Sequence, residues 1–238
     1  IGSSDNANLG VNLKYSLSDK HIIYSQLVIT DLVVSLLLND IKKQINPDFD
    51  GYYGWFANKW GLQFGYKTFD MFKIKNLSGF LEANIVRPYT YSHARAEQNY
   101  SHFSQELAHP LGANFIEFVS GIDYLRKYIY ISAKLKYAKV GMDSGAQRKG
   151  QNIFLPTMDA NNGDYTVNSY YNTILQGNLT DIIATNINFD YTISAKNSLV
   201  FNSGVTLRSI TPTIGDKTNQ IIVYIGFKSQ IGKSTSIF

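Results

Sequence analysis

Three of the four histidines, His93, His102 and His109, lie close together in one stretch of the sequence. Imidazole nitrogens are common ligands of zinc and other transition metals, so the group is a candidate metal site. The intervals between the three residues are nine and seven positions, which fit neither one face of a helix nor the short ligand spacing of a zinc hairpin. We therefore predict that these histidines form ordinary loop hydrogen bonds and bind no metal.

Two other segments contain residues typical of ligand-binding loops. Segment 159–164 reads Asp-Ala-Asn-Asn-Gly-Asp, but a calcium loop needs ligands at alternate positions and a closing Glu. Five residues separate Gly226 from Gly232, whereas a phosphate loop has four and continues into a helix. No Ser lies in a context that would pair it with His and a carboxylate. We predict no catalytic residue, no metal and no cofactor, and therefore a protein that is not an enzyme.

The composition narrows the class of protein further. Of 238 residues, 44% are hydrophobic, 14% are aromatic and only 17% are charged, and none is cysteine. The absence of cysteine excludes disulfide scaffolds, thiolate catalysis and Cys-ligated zinc. The net charge of +4 is small and evenly spread, which argues against nucleic acid as a partner. The mean hydropathy is −0.15, and no apolar run approaches the roughly 20 residues of a transmembrane helix.

Apolar and polar residues alternate along most of the chain. Between Leu9 and Leu17, every odd position is Leu, Val or Tyr and every even position is Gly, Asn, Lys or Ser. Because strand side chains point alternately to two faces, repeats of this pattern predict about nine strands with one apolar and one polar face. Most span about 9 to 13 residues, longer than the usual ~5–6 and close to the ~9–11 that cross a bilayer.

The connections between these strands fall into two classes that alternate along the chain. Tight turns are predicted at 18–21, 71–75, 125–128 and 195–198, and long loops at 32–53, 92–112 and 146–178, with a shorter one at 212–219. Outer-membrane barrels have this layout, with short periplasmic turns and longer extracellular loops. The fold class is therefore predicted to be all-β, a transmembrane antiparallel β-barrel in the bacterial outer membrane, in contact with lipid. A soluble β-sandwich also alternates, but its strands are shorter.

The polar face predicts the lining of the barrel. Residues of mixed charge and amide character fall on this row, which suits either a plugged interior or a weakly selective pore. An odd count of about nine strands would leave an open edge, whereas bacterial single-chain barrels have an even number. We therefore expect residues 1–238 to be the C-terminal portion of a larger barrel; the alternative is one strand overlooked within 32–53. The predicted inward residues include Asn12, Lys14, Lys59, Gln63, Lys67, Glu82, Asn84, Glu117, Asp123, Lys134, Lys136, Asn186, Asn188, Asp190, Arg208 and Lys228.

Several segments together resemble a known family. The most distinctive are Arg-Pro-Tyr-Thr-Tyr-Ser-His at 87–93, Asn-Tyr-Ser-His-Phe at 99–103 and Leu-Ala-His-Pro-Leu-Gly-Ala-Asn-Phe at 107–115, with further likeness at 54–61, 137–141 and 152–154. They resemble the C-terminal half of Wzi-like capsule-assembly outer-membrane proteins, in particular the RemB-like gliding-motility proteins of Bacteroidetes-type bacteria. The resemblance implies a barrel of about eighteen strands that organises surface polysaccharide or serves the gliding and secretion apparatus. The 32–53 segment departs from that family by being longer and more helical. The terminal Phe238 resembles the terminal aromatic residue of outer-membrane assembly signals.

The outer loops supply the candidate binding residues. Sugars bind to combinations of aromatic faces, which stack on C–H groups, and amides, which donate to and accept from hydroxyls. The leading hypothesis is therefore a non-enzymatic surface protein that contacts polysaccharide. The alternatives are loop tyrosines that only pack into a lid, a porin-like passive channel, and a structural subunit of an outer-membrane, secretion or motility complex. The candidate ligand-binding residues are Arg87, Tyr89, Tyr91, His93, Asn99, Tyr100, His102, His109 and Asn114.

Overall fold

The computed structural model describes residues 8–144, 147–159, 161 and 163–229. Eleven strands and one α-helix occur in the described part of the chain, together with two short 3-10 helices at Met71–Lys73 and Ala96–Gln98. In chain order the strands and the helix are β1 (Leu9–Ser18), β2 (His21–Asp31), α1 (Val34–Ile45), β3 (Lys59–Thr68), β4 (Leu77–Val86), β5 (Ser101–His102), β6 (Gln105–Glu106), β7 (Phe115–Arg126), β8 (Ile129–Met142), β9 (Asn178–Ser194), β10 (Leu199–Pro212) and β11 (Thr218–Lys228).

Nine of these strands form one antiparallel sheet in the order β1-β2-β3-β4-β7-β8-β9-β10-β11, and β5 and β6 form a separate small hairpin. Each long strand therefore pairs with its nearest long neighbour in the sequence. Within the described residues, β1 and β11 are edge strands and the sheet is open. The prediction of about nine antiparallel strands is confirmed, whereas a closed barrel stays a prediction.

The cross-strand register divides the side chains between two faces. Asn12, Gln26, Gln63, Asn84 and Glu117 are successive partners across five strands, so they form one row on the same face. The next row along the strands, on the opposite face, is entirely aliphatic, from Val11 across to Ile116. The predicted segregation into a polar face and an apolar face is confirmed. We use these two names for the faces below.

The apolar face carries large hydrophobic side chains that no second layer covers among the described residues. These side chains come from β1, β3, β4 and every strand from β7 to β11, while those of β2 are half-exposed. Apolar surface is normally removed from water, and the described residues supply no cover for this face. The exposed side chains are Leu9, Val11, Leu13, Tyr15, Leu62, Phe64, Leu81, Phe118, Ile122, Ile131, Leu135, Ile183, Ile187, Phe189, Tyr191, Leu207, Ile221, Val223, Ile225 and Phe227.

Aromatic rings on the polar face lie directly over glycines of the neighbouring strand. Tyr24 partners Gly65 across β2 and β3, and Phe80 partners Gly121 across β4 and β7. A Cβ at Gly65 would lie 2.0 Å from the Tyr24 ring, and one at Gly121 would lie 2.3 Å from the Phe80 ring. Only glycine leaves room for such contacts, which shield the backbone and fix the strand register.

The buried core lies at one end of the polar face, where the long loops fold over the strands. Val86, Phe115 and Val140 form a buried row across β4, β7 and β8. Tyr91, Ala113 and Ile153 pack against it from the loops.

The loops run slightly longer than predicted, over 32–58, 87–114 and 143–177, and the helical character expected within 32–53 is confirmed by α1. Within the described residues, no helix has the length and apolar character to span a membrane.

At the opposite end the connections are short, and three are the tight turns predicted near 18–21, 125–128 and 195–198. The connection from β3 to β4 is longer than predicted, because it runs from 69 to 76 and contains a 3-10 turn. Asp70 has a left-handed φ of 51° and accepts a hydrogen bond from the Asn76 N–H at 2.8 Å. That bond, together with the Lys20 ammonium at 3.0 Å, lowers the pKa of the Asp70 carboxyl, so the carboxylate stays charged and paired at neutral pH.

Candidate functional site

A cleft of about 340 Å³ lies between the polar face and the loop that joins β4 to β7. Its floor comes from β1, β2, β3 and β4, and its roof comes from residues 91–109 of the loop. The volume is at the lower end of the range for small-ligand pockets, ~300–1,000 Å³. The lining residues that could form hydrogen bonds or ring contacts with a ligand are Asn12, Gln26, Gln63, Asn84, Tyr91, Tyr100, His109 and Phe115.

The floor of the cleft is a row of side-chain amides. Asn12, Gln26, Gln63 and Asn84 lie side by side because the register of four strands aligns them. Among the described residues, the side-chain amides of Asn12, Gln26 and Gln63 have no hydrogen-bond partner. Each amide has a carbonyl acceptor and two N–H donors. The floor therefore offers neutral donors and acceptors that a polar ligand can use.

The carboxylate behind the cleft contacts three other side chains. Glu117 is 1% exposed and accepts hydrogen bonds from Asn84 Nδ2 and His109 Nε2, both at 2.9 Å. Its other oxygen is 2.8 Å from Lys136 Nζ. The Leu111 N–H donates to His109 Nδ1 at 3.2 Å, which leaves the ring proton on Nε2, facing Glu117. Glu117 thus orients Asn84 and His109, and its charge is compensated by Lys136.

Aromatic rings form the other wall of the cleft. The rings of Tyr91 and Tyr100 are 6.1 Å apart between centroids, and those of His109 and Phe115 are 4.5 Å apart. Burial raises the pKa of the Tyr91 phenol to about 12, and the neighbouring Tyr100 adds to this effect. Tyr91 therefore remains a neutral hydroxyl at physiological pH. The more exposed Tyr100 also lines the cleft.

Arg87 holds the loop in position through a salt bridge to helix α1. Its Nη1 lies 2.5 Å from Asp40 Oδ2, and the Arg87 side chain is 5% exposed. The other Asp40 oxygen accepts a hydrogen bond from the Gly54 N–H at 2.6 Å. Removing one partner of a hydrogen-bonded charge pair of this kind strongly destabilises the folded protein. The pair connects the β2–β3 loop to the β4–β7 loop.

Asn114 joins the same loop to the β8–β9 loop. Its Nδ2 donates to the carbonyls of Gly141 at 2.6 Å and Gln176 at 2.8 Å, and its Oδ1 accepts from the Leu175 N–H at 2.7 Å. Asn114 has a φ of 58°, a left-handed conformation that Asn tolerates better than most residues. The buried amide therefore satisfies backbone groups of two separate segments, the end of β8 and residues 175–176.

Tyr89 provides a second link to the β8–β9 loop. Its hydroxyl donates to the Arg148 carbonyl at 2.9 Å, and its N–H donates to the Gly150 carbonyl at 2.9 Å. Burial raises the pKa of the Tyr89 phenol to about 12, with a smaller contribution from the Asp143 carboxylate. Tyr89, like Arg87 and Asn114, is buried and supports the loops around the cleft.

The nine residues predicted as ligand contacts thus have three different locations. Tyr91, Tyr100 and His109 line the cleft, while Arg87, Tyr89 and Asn114 hold the loops that cover it. His93, Asn99 and His102 lie outside the cleft lining; His102 packs on the exposed Phe103 ring at the tip of the β5–β6 hairpin. Gln26 was not predicted, although its even position in β2 places it on the polar face with Tyr24.

The other sequence motifs contribute no side chain to the cleft among the described residues. Among the described residues, no cluster of three His, Asp or Glu side chains has a metal-binding arrangement. Asp159 forms a turn, in which its N–H donates to the Asp164 carbonyl at 2.8 Å and its own carbonyl accepts from the Gly163 N–H at 2.9 Å. Positions 160 and 162 of that motif, the end of the Gly226–Ser234 motif and Phe238 lie outside the described residues.

Comparisons with protein-family models, curated proteins and solved structures found no match.

Proposed function

We propose that this protein is a non-enzymatic β-barrel protein of the bacterial outer membrane, whose sheet forms part of the barrel wall and whose cleft contacts surface polysaccharide. The observation that carries this proposal is the uncovered apolar face. Nine strands about 4.8 Å apart and about 30 Å long give a face on the order of 1,000 Å². The largest apolar patch of a typical soluble monomer is roughly 300–600 Å². Lipid is the environment that such a face requires.

The lengths of the strands support the same proposal. The nine long strands contain from 10 to 17 residues, whereas about 9–11 tilted residues cross a bilayer. The longest strands extend toward the loop end, where an outer-membrane barrel projects beyond the membrane. The short turns at the opposite end correspond to the periplasmic side.

The open edges of the sheet indicate what would complete a barrel. Unpaired backbone groups at an edge cost several kcal/mol each in lipid, so both edges need partners there. β1 and β11 are the first and ninth strands of an antiparallel series, and they therefore run in the same direction. Direct pairing of β1 with β11 would be parallel. An antiparallel barrel requires an odd number of additional strands between them, from elsewhere in the polypeptide or from another subunit.

The cleft supports polysaccharide as the ligand. Its floor supplies three side-chain amides that pair with no other described residue, and its wall supplies the Tyr91 and Tyr100 rings. Sugar rings combine apolar C–H faces with hydroxyls, so they match aromatic rings beside amides. Because Lys136 compensates Glu117, the cleft suits a neutral sugar unit. The resemblance of 87–115 to Wzi-like and RemB-like proteins favours a role in capsule attachment or in gliding and secretion.

The membrane assignment predicts where the folded protein is found. In fractionated cells we expect the chain in the outer membrane, extractable with detergent but not with high salt or alkaline carbonate. The extracted protein should be folded in micelles, as judged by faster migration on unheated than on heated denaturing gels. A partner retained at fixed stoichiometry would identify the subunit that supplies the remaining strands. A monodisperse, folded protein in detergent-free buffer would contradict the proposal.

The polysaccharide assignment predicts that the free amides contribute to binding. The probe is an oligosaccharide mixture released by mild acid from the surface polysaccharide of the host cell, titrated into the detergent-solubilised protein by calorimetry. Replacing both Gln26 and Gln63 with alanine removes two hydrogen-bonding side chains, and we expect about tenfold weaker binding. The matched control replaces Asn219 and Gln220 on β11 with alanine, which removes two exposed amides outside the cleft. Equal effects of the two double substitutions would rule out binding in the cleft.

A further inference from the structure

A second and larger cavity lies on the apolar face, near the short-turn end of the sheet. It has a volume of about 1150 Å³ and runs across β3, β4, β7, β8 and β9. The strand residues that form its walls include Tyr66, Leu81, Ile122, Leu135 and Ile187. All of them belong to the apolar face by cross-strand register. This groove is separate from the cleft, which lies on the polar face.

Small residues make the floor of the groove. Gly79 partners Ile122, and Ile122 partners Ala133. In this row a small residue therefore occurs on every second strand, at Gly79 and at Ala133. The adjacent row repeats the arrangement with Ser120 and Thr185 between larger residues. The large side chains form ridges and the small ones leave depressions between them. The resulting channel crosses several strands and is apolar along its length.

The connection between β3 and β4 forms the end wall of the groove. Met71 packs directly on Gly79, since a Cβ at Gly79 would lie 2.6 Å from the Met71 sulfur. Phe69 and Phe72 lie beside it, and Phe72 is 81% exposed. Exposed aromatic rings at one end of an apolar surface are typical of the membrane–water interface. The end wall therefore lies where lipid headgroups would meet the protein.

The rim of this end is positively charged. Lys20, Lys73 and Lys75 line the groove together with a single carboxylate, Asp70. Asp70 pairs with Lys20 at 3.0 Å. Within the described residues, Lys73 and Lys75 have no carboxylate within salt-bridge distance. The mouth of the apolar channel thus carries three ammonium groups and one carboxylate, an excess of positive charge that remains although Lys75 also interacts electrostatically with Asp70.

We propose that this groove binds an anionic phospholipid, with an acyl chain in the apolar channel and the phosphate on Lys73 and Lys75. The inference rests on the proposed membrane location and adds a specific lipid site to it. An acyl chain matches an apolar channel of this length, and an anionic headgroup matches the excess of positive charge at the rim. The short turns are periplasmic in an outer-membrane barrel, so the bound lipid belongs to the inner leaflet.

Native mass spectrometry of the detergent-extracted protein tests the site. The probe is a mixed micelle that contains equal amounts of phosphatidylglycerol and phosphatidylcholine. We expect the protein to retain phosphatidylglycerol at least fivefold more often than phosphatidylcholine. The double substitution K73Q/K75Q should abolish this preference. The control K127Q/K196Q removes two exposed lysines from other short turns, outside the groove, and should retain the preference.

Filling the groove provides an independent test. Ala133→Phe places a ring on the channel floor, and we expect it to reduce retention of both lipids. Leu13→Phe, on the apolar face of β1 and outside the groove, serves as its control. If the micelle-folded protein shows no preference for phosphatidylglycerol, or K73Q/K75Q keeps it, the lipid site is refuted while the membrane proposal stands. A protein that never enters the membrane fraction refutes both.

Discussion

Replacing Arg87 with alanine is expected to lower the free energy of unfolding by about 3 kcal/mol. Arg87 is almost fully buried, and its guanidinium contacts Asp40 at 2.5 Å. The substitution leaves the Asp40 carboxylate, which is 20% exposed, without its cation. An uncompensated buried charge is more costly than the pair itself is favourable. Since Asp40 also binds the Gly54 N–H, the loop that contains α1 should loosen together with the β4–β7 loop.

Urea unfolding of the protein in lipid vesicles, followed by tryptophan fluorescence, measures this effect. Lys20→Ala is the matched control, because it removes the cation of the Lys20–Asp70 pair, whose side chains are 54% and 33% exposed. Water and salt screen an exposed pair of this kind, so it contributes little to stability. Similar losses for both variants would mean that the Arg87 salt bridge does not hold the loops.

A single arginine on the apolar face should have a comparably large effect. Leu62 and Gln63 are neighbours on β3 that point to opposite faces. Leu62→Arg places a charge in the lipid, which costs about 2–4 kcal/mol near the middle of a bilayer and less toward its edges. Gln63→Arg places the same charge on the polar face, where the Gln63 side chain has no hydrogen-bond partner among the described residues. We therefore expect Leu62→Arg to cost about 2 kcal/mol or more and Gln63→Arg to be nearly neutral.

The readouts are the amount of folded protein in the outer membrane and its stability to urea in vesicles. Both variants add the same side chain at adjacent positions, so differences in expression or net charge cannot separate them. The reverse ranking, with Gln63→Arg the more damaging substitution, would mean that the apolar face does not meet lipid.

The strands and their faces could be predicted because they depend on a local rule. A period of two places Leu9 and Val11 on one face and Asn12 on the other, whatever lies further along the chain. The same rule assigns Glu117 to the polar face. The period of two also places Gln26 on the polar face, because Gln26 lies two positions after Tyr24 in the same strand. Sheet register then brings these residues into one row without additional information.

The loop structure could not be predicted because it depends on contacts between distant residues. Arg87 and Asp40 are 47 positions apart, and Asn114 and Gln176 are 62 apart. No periodicity relates such pairs. For the same reason, the composition of the loops could not distinguish the tyrosines that line the cleft from the buried tyrosines that hold the loops in place. The β3–β4 connection was predicted too short because its left-handed residues, Asp70 and Phe72 among them, are not glycines.

The order of the sheet, in which every long strand pairs with its neighbour in the chain, constrains how the molecule assembles. Hairpins such as β1–β2 and β7–β8 close over few residues, so the loss of chain entropy is small at each step. No later strand has to enter between two strands that are already paired. The contacts of Asn114 with Gly141 and Gln176 need β7, β8 and β9 in place first. We therefore expect the sheet to form sequentially from local hairpins, and the long loops to order last, once the strands beneath them have paired.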